Sequence, residues 1–326
     1  MNLRIALLMM QKNEDILLGP WIRYHAEFTA NASIFIFDNG SSIPGVIETL
    51  AEAEQAGIHI IRQHNKPEDY LNAGNIFSKF IHNLDLQNPH DFYFPIDCDE
   101  FLACQTPYGL SCHLEDLYSQ LMPWLGSQQV LIIPRKHYAN PYQANRYIEI
   151  NHSQKCFFSQ GTCKSLSHGF HKATTAAGHE QQITTITYFE FHHKPYQQHR
   201  RLTAQKLEQI FTGKTMSRRN LAEYASTLKT NYHCALELLQ TEYDYIHYLA
   251  KHSSQEEHRC LLDRFKEIQI DPSPLFAKSP LSSRRETISL ITKSWLTKIR
   301  DAVNYHRFRI FATRIKSAVL SILPQQ

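Results

Sequence analysis

Several protein classes are excluded by what this chain lacks. Nothing in its 326 residues approaches the ~18 consecutive apolar residues needed to span a bilayer. The early apolar run Ile5 to Met10 is short and is followed at once by Gln11-Lys12-Asn13-Glu14-Asp15. It is therefore expected to be a buried strand and not a signal peptide. The seven cysteines are odd in number, scattered and never spaced C-x-x-C. Free thiols in a reducing compartment are expected, not a disulfide frame or a zinc ribbon. There is no internal repeat and no low-complexity tract. No glycine occurs in Met9-Met10-Gln11-Lys12, so the glycine-rich phosphate loop of a sugar nucleotidyltransferase is absent. The composition that remains, 42% apolar and 20% charged, is that of an ordinary globular chain.

The net charge of +3 conceals an asymmetry. Residues 284–326 carry nine Lys/Arg against Glu286 and Asp301, or +7, which leaves −4 on the rest. A mildly acidic body is not a nucleic-acid-binding domain. If any part seeks a negative surface, it is the tail.

The first hundred residues alternate in type. Strands are expected at Arg4–Met10, 33–37, Ile58–Ile61 and Phe92–Ile96. Helices are expected at Asp15–Phe28, from Pro44 to about Gln55, and at Ala73–Leu84. Pro44 suits a first helical turn, where its missing N–H costs nothing, and Gly57 follows that helix. Such alternation implies an α/β fold with a mostly parallel sheet and helices on both faces. The polar clusters Gln11–Asp15, Asp38–Ser42 and Asp97–Glu100 each follow a strand. Parallel sheets bind ligands at the carboxyl ends of their strands, so all three loops fall on one edge. Further on, Leu114–Leu125 reads as a helix and Val130–Ile133 as a strand. Residues 140–195 read as a polar, His-rich stretch with short strands, and 203–265 as helical.

Asp97-Cys98-Asp99-Glu100 is the centre of the chemistry. Two carboxylates two residues apart, just off a strand, can both reach a hard divalent cation. Oxygen ligands select Mg²⁺ or Mn²⁺, whose shell is commonly completed by diphosphate. A dehalogenase-type phosphatase also places D-x-D after a strand, but after its first strand and before Thr or Val. Here the pair follows the fourth strand and precedes Glu100-Phe101.

Lys12-Asn13-Glu14 with Trp21 and His25, then Phe37-Asp38-Asn39-Gly40-Ser41-Ser42, then Asp97-Cys98-Asp99-Glu100-Phe101-Leu102 resemble the K-N-E, D-N-x-S and D-x-D-E-F signatures of bacterial glycosyltransferases of families 2 and 92. The resemblance covers residues 3–105, weakens through 130–206 and then ends. It implies a GT-A-like, Rossmann-like fold and transfer of a sugar from a nucleoside diphosphate donor, with uridine the expected base. Under it, Lys12, Asn13, Glu14 and Asp38 line the donor site and Lys164 is a second phosphate partner. Asp97 and Asp99 hold Mn²⁺ or Mg²⁺, with His179 or His192 as a further ligand. The family's K-S-[IV]-x-R run is Lys164-Ser165-Leu166-Ser167-His168 here, without the arginine. An inverting transfer also needs a base for the acceptor hydroxyl, and Glu149, Glu180 and Glu190 are the carboxylates on offer. Asp38-Asn39-Gly40 is a good turn in any protein, and Asn13 could simply cap the helix that follows.

The expected organisation is a catalytic domain over 1–200, a helical region over 201–270, and a linker with a basic helical tail over 271–326. Lys293, Arg300, Arg307 and Arg314 form a basic row suited to anionic lipid, although packing against protein is the alternative. The resulting expectation is a cytoplasmic enzyme, peripheral on the inner membrane face. It would act on a glycan or lipid-linked acceptor in surface polysaccharide or lipopolysaccharide assembly. The rival expectation is a non-catalytic binding or scaffold protein with the same fold.

Overall fold

The structure, a computed structural model, describes residues 3–151, 153–208, 210–227, 231–251, 256–277 and 293. The chain divides into two compact units. One comprises Met1–Pro195 with Ser254–Ala277, and the other is built on Tyr196–Ser253.

The first unit opens with alternating strands and helices: β1 (Ile5–Gln11), α1 (Leu18–His25), β2 (Ile34–Asp38), α2 (Pro44–Gln55), β3 (His59–Ile61), α3 (Pro67–Leu71), α4 (Ala73–Gln87) and β4 (Phe92–Pro95). It continues through β5 (Glu100–Thr106), β6 (Gly109–Ser111), α5 (Leu114–Leu121), β7 (Val130–Ile133), β8 (Arg135–Ala139), β9 (Arg146–Ile150) and β10 (Lys155–Ser159). A two-stranded ribbon of β11 (Cys163–Leu166) and β12 (Ala173–Thr175) follows, then β13 (Gln181–Ile183) and β14 (Ile186–Glu190).

One sheet has the order β13-β7-β10-β4-β1-β2-β3. The β4-β1-β2-β3 half is parallel throughout, and β10 runs antiparallel to both β4 and β7. All seven residues of β1 are buried, because both of its faces are covered. Ile5, Leu7 and Met9 pack with Trp21 and Tyr24 of α1 and Leu50 of α2. Ala6, Leu8 and Met10 pack with Phe77 and Ile81 of α4. A period-2 chain buried on both sides reads as one continuous apolar run, which is why Ile5 to Met10 shows no alternation.

The mostly parallel expectation holds for this sheet alone. A second sheet, β15-β9-β8-β14-β5-β6, pairs antiparallel except at β8–β14. Its edge strand β15 (Glu256–Glu257) and the helix α10 (Cys260–Glu267) come from the far end of the chain. Leu261 and Phe265 of α10 enter the first unit's core. Residues 256–276 therefore belong to that body and not to a separate helical region ending at 270. Two boundaries also shift. The first helix spans Leu18–His25 instead of Asp15–Phe28, because Asn13 takes a left-handed φ of 59° and turns the chain first. The helix expected to reach Leu125 ends at Leu121, and Met122–Trp124 tightens into a 3₁₀ turn around Pro123.

The second unit holds α6 (Tyr196–Glu208), α7 (Arg218–Ala225), α8 (Tyr232–Leu239) and α9 (Glu242–Lys251). Leu207, Phe211, Leu221, Cys234, Ala235 and Leu238 form its own core. The basic segment 284–326 lies outside the described residues apart from Lys293. Among the described residues no helix is long and apolar enough to cross a membrane. All seven cysteines are free thiols.

Two predictions follow from the packing. A Cβ on Gly74 of α4 would fall 2.6 Å from the carbonyl carbon of Ser167, and closer still to the carbonyl oxygen of Leu166. No rotamer relieves an overlap with backbone. Gly74→Ala should therefore cost about 1–3 kcal/mol, seen as an earlier urea midpoint, and an unchanged midpoint would contradict this packing. Burial holds His25 at about 3, His90 at about 4 and His137 at about 3. A histidine kept neutral by the fold contributes stability that is fully present above its unfolded value of about 6.5 and is lost as pH falls toward the folded one. Unfolding free energy should therefore drop between about pH 7 and pH 4, less steeply in His90→Gln. A flat profile in the parent chain would contradict the assignment.

Candidate active site

The loops after β1, β2 and β4 share one edge of the first sheet and are cross-braced. Gln11 Nε2 donates to Asp38 Oδ1 (2.9 Å) and to Ser41 Oγ (3.1 Å). Ser41 turns back on the same carboxylate, its hydroxyl donating to Asp38 Oδ1 at 2.6 Å and its N–H at 3.1 Å. Asn13 Oδ1 accepts from the N–H groups of Ser42 (2.8 Å) and Ile43 (3.1 Å). Asn13 thus closes the amino end of α2, not that of its own helix. Asn39 Nδ2 donates to the carbonyls of His64 and Lys66, which brings in the loop after β3. Asp38 and Asn13 are buried, and Asp38 Oδ1 is spent on loop geometry. Lys12 and Glu14 are half-buried at the rim.

Residues 97–100 form a tight turn, in which the Asp97 carbonyl accepts from Glu100 N–H (3.1 Å) and from Trp21 Nε1 (3.1 Å). Glu100 Oε2 reaches back to accept Asp97 N–H at 2.8 Å. Behind the turn stands Lys155, the first residue of β10, with its side chain 2% exposed. Its ammonium donates to Asp97 Oδ2 (2.5 Å) and Glu100 Oε2 (2.7 Å). Burial works against the Lys155 charge, but the two carboxylates more than reverse this and raise its basicity above the usual lysine range. Burial pushes Glu100 up to about 8 although Lys155 pulls the other way. A second ammonium, Lys194 Nζ, lies 3.3 Å from Asp99 Oδ2 and donates to the Phe191 carbonyl at 3.0 Å. Phe191 N–H donates to the Asp99 carbonyl (2.9 Å), so the segment after β14 is sewn to the acidic turn.

Glu190 closes β14 in register with Glu100 of β5 and Tyr138 of β8. Its buried carboxylate lies 3.2 Å from Lys136 Nζ and 3.4 Å from His192 Nδ1. Burial would raise Glu190, but the His192 hydrogen bond and the Lys136 ammonium outweigh it, and the net direction is downward. The result is a largely buried network of Asp97, Asp99, Glu100, Glu190, Lys136, Lys155 and Lys194. Asp97 (48% exposed), Asp99 (20%) and His192 (31%) form its open side.

The structure separates the other candidates. Glu149 pairs with His137, which neighbours Tyr138 and so points to the opposite face of the sheet from Glu190; there it meets Arg135 at 3.9 Å. Glu180 and His179 precede β13, whose Gln181 pairs with Val130, whereas Lys155 pairs with Ile133 at the other end of β7. They lie at the far edge of the sheet from Asp97, about 10 Å or more away along four residues of strand. Lys164 is exposed on the β11–β12 ribbon. Of the expected site residues, only Asp97, Asp99, Glu190 and His192 are brought together, with the Asn13 and Asp38 loops beside them. Lys136, Lys155 and Lys194 were not expected. A lysine opening the apolar strand Cys156-Phe157-Phe158 was the available signal for Lys155, since a solvated lysine has no reason to sit there.

The donor set suits a hard divalent ion. Asp97 offers a half-exposed carboxylate of which Lys155 engages Oδ2, and Asp99 lies two residues away. Burial, with Glu14 and Asp99 nearby, keeps the Cys98 thiol between them well above its ordinary value, so no thiolate competes. No three described His, Cys, Asp or Glu side chains form a ready-made cage. The protein would thus supply two oxygens and leave the remainder to phosphate and water, as magnesium sites commonly do.

No family model matches the chain, and no curated protein matches it. Among solved structures, S. aureus TarS, a glycosyltransferase, is similar at a TM-score of 0.34 and 9% identity. The match covers 82% of this chain and 55% of that one, so the chain spans about half the length of TarS. A likeness this slight carries no argument about fold or activity. The motif resemblance to families 2 and 92 stands on its residues alone.

Lys155→Met removes the charge that two carboxylates share. It should cost on the order of 3 kcal/mol, and adding Glu100→Gln should recover part of that loss. Equal destabilisation of the single and double variants in urea would mean that stem packing, not charge, accounts for it.

Proposed function

We propose that this chain is a glycosyltransferase. It moves a sugar from a nucleoside diphosphate donor, with UDP the expected nucleotide, to a glycan or lipid-linked acceptor with inversion. The observation that supports this most directly is the acidic turn. Asp97 and Asp99 open on the sheet edge where the β1 and β2 loops are braced around Asn13 and Asp38. Asp97 and Asp99 would hold Mn²⁺ or Mg²⁺, which when bound neutralises charge developing on the departing diphosphate. Trp21, Lys155 and Glu100 fix the turn so that both carboxylates are presented without further ordering. Lys12 and Glu14, on the half-buried rim, would face the nucleotide.

The setting we propose is surface polysaccharide or lipopolysaccharide assembly at the inner membrane face, with 284–326 contacting anionic lipid. One observation favours the rival reading of a non-catalytic binding protein: each aspartate already has a lysine ammonium beside it, which could satisfy the acidic turn with no metal or substrate.

Thermal unfolding separates the two, because a ligand that binds only the folded state raises the melting temperature. UDP with Mn²⁺ should raise it, and Asp99→Asn should abolish the manganese-dependent part. The same variant should lower sugar transfer by about 100-fold or more while its unliganded melting temperature stays near that of the parent. No shift with any nucleoside diphosphate would favour the scaffold reading.

A further inference from the structure

The two lysines at the acidic turn are held differently. Lys155 is shared by two carboxylates and its side chain is 2% exposed, which commits it to the fold. Lys194 Nζ lies 3.3 Å from Asp99 Oδ2, against 2.7 Å from Lys155 to Glu100, and the Asp99 side chain is 20% exposed. Lys194 stands on residues 191–195, which join β14 to α6 without forming helix or strand. Two further bonds tie this stretch to the turn. Phe191 N–H donates to the Asp99 carbonyl at 2.9 Å, and the Phe191 carbonyl accepts from Lys194 Nζ at 3.0 Å. The carbonyl that holds the ammonium therefore belongs to the residue bonded to Asp99, and Lys194 is stationed at that aspartate by backbone as well as by charge. An ammonium there stands where a cation would bind. Two cations on one carboxylate repel each other, whereas an ammonium beside a diphosphate gains a charge-assisted hydrogen bond. A compact charge with rotatable donors on a four-carbon stem suits such an exchange of partners.

Resting on the sugar-transfer reading above, we infer that Lys194 is the resident counter-ion of Asp99, which yields that carboxylate to the divalent ion and takes a diphosphate oxygen of the donor in its place. The exchange gives Lys194 opposite effects on the two ligands. It competes with the metal for Asp99, and it holds the nucleotide once the metal is bound. By linkage the effect is reciprocal: a diphosphate that draws the ammonium away from Asp99 favours the metal there. The lysine beside Asp99, which taken alone favours a turn needing no ligand, then becomes part of the means by which metal and donor bind together.

The test measures two affinities on the full chain and no turnover. Binding of Mn²⁺ alone is followed by electron paramagnetic resonance of the free ion, and binding of UDP by calorimetry at saturating Mn²⁺. Lys194→Met should bind Mn²⁺ about threefold or more tighter than the parent, because a like charge is gone. The same variant should bind UDP about tenfold more weakly, the loss of one charge-assisted hydrogen bond. Lys194→Gln, which keeps a donor for the Phe191 carbonyl, should show the same two signs and covers the case in which Lys194→Met fails to fold. Manganese affinity that does not rise makes Lys194 a structural residue or a plain phosphate contact, and overturns the inference. UDP affinity that does not fall makes it a counter-ion that never reaches the diphosphate, and overturns the inference too. Either result leaves sugar transfer standing. No manganese-dependent UDP binding by the parent chain overturns the sugar-transfer reading, and this inference with it.

Discussion

A single buried ammonium organises this edge of the molecule. Lys155 joins Asp97, on a loop, to Glu100, the first residue of β5, and it does so from β10 of the neighbouring sheet. Two carboxylates three residues apart would repel each other in a dry environment. Lys155 turns that repulsion into a fixed turn, and Trp21 locks its carbonyl from α1. Because the ammonium is itself almost fully buried, it cannot be a ligand for substrate. It holds the carboxylates of the turn in one place.

The same device recurs twice at the same edge. Lys194 stands against Asp99 and Lys136 against Glu190. At Glu190 the neighbouring His192 and Lys136 outweigh the burial that would raise it, whereas at Glu100 burial prevails although Lys155 opposes it. On the proposed reading, a turn built this way would present the Asp97 and Asp99 oxygens to a divalent ion and a diphosphate.

Much of this was legible in the sequence, and what was missed has a physical cause. The strand–helix alternation through β4 was readable because β1, β2 and β4 are fully buried runs, almost wholly apolar, and Pro44 marked the start of α2 directly. The acidic turn was readable because it falls straight off such a run. The second sheet was not, since its strands come from distant parts of the chain and their partners are set by register, not by local pattern. Register also decided among the glutamates. Glu149 and Glu190 look alike in sequence, yet one step in strand phase sends them to opposite faces. His179 and Glu180 sit at the far edge because β13 runs parallel to β7. Lys155 was the largest omission. Its partners lie 58 and 55 residues away, and no local spacing can announce a contact of that range.

The central claim is that the acidic turn receives a divalent ion together with a nucleoside diphosphate. Crystals grown with UDP and manganese, measured by anomalous scattering, test it most directly. The account predicts a manganese peak about 2.1 Å from an oxygen of Asp97 and of Asp99, bridging to both phosphates. A peak elsewhere, or nucleotide bound with no manganese at Asp97 and Asp99, would contradict it.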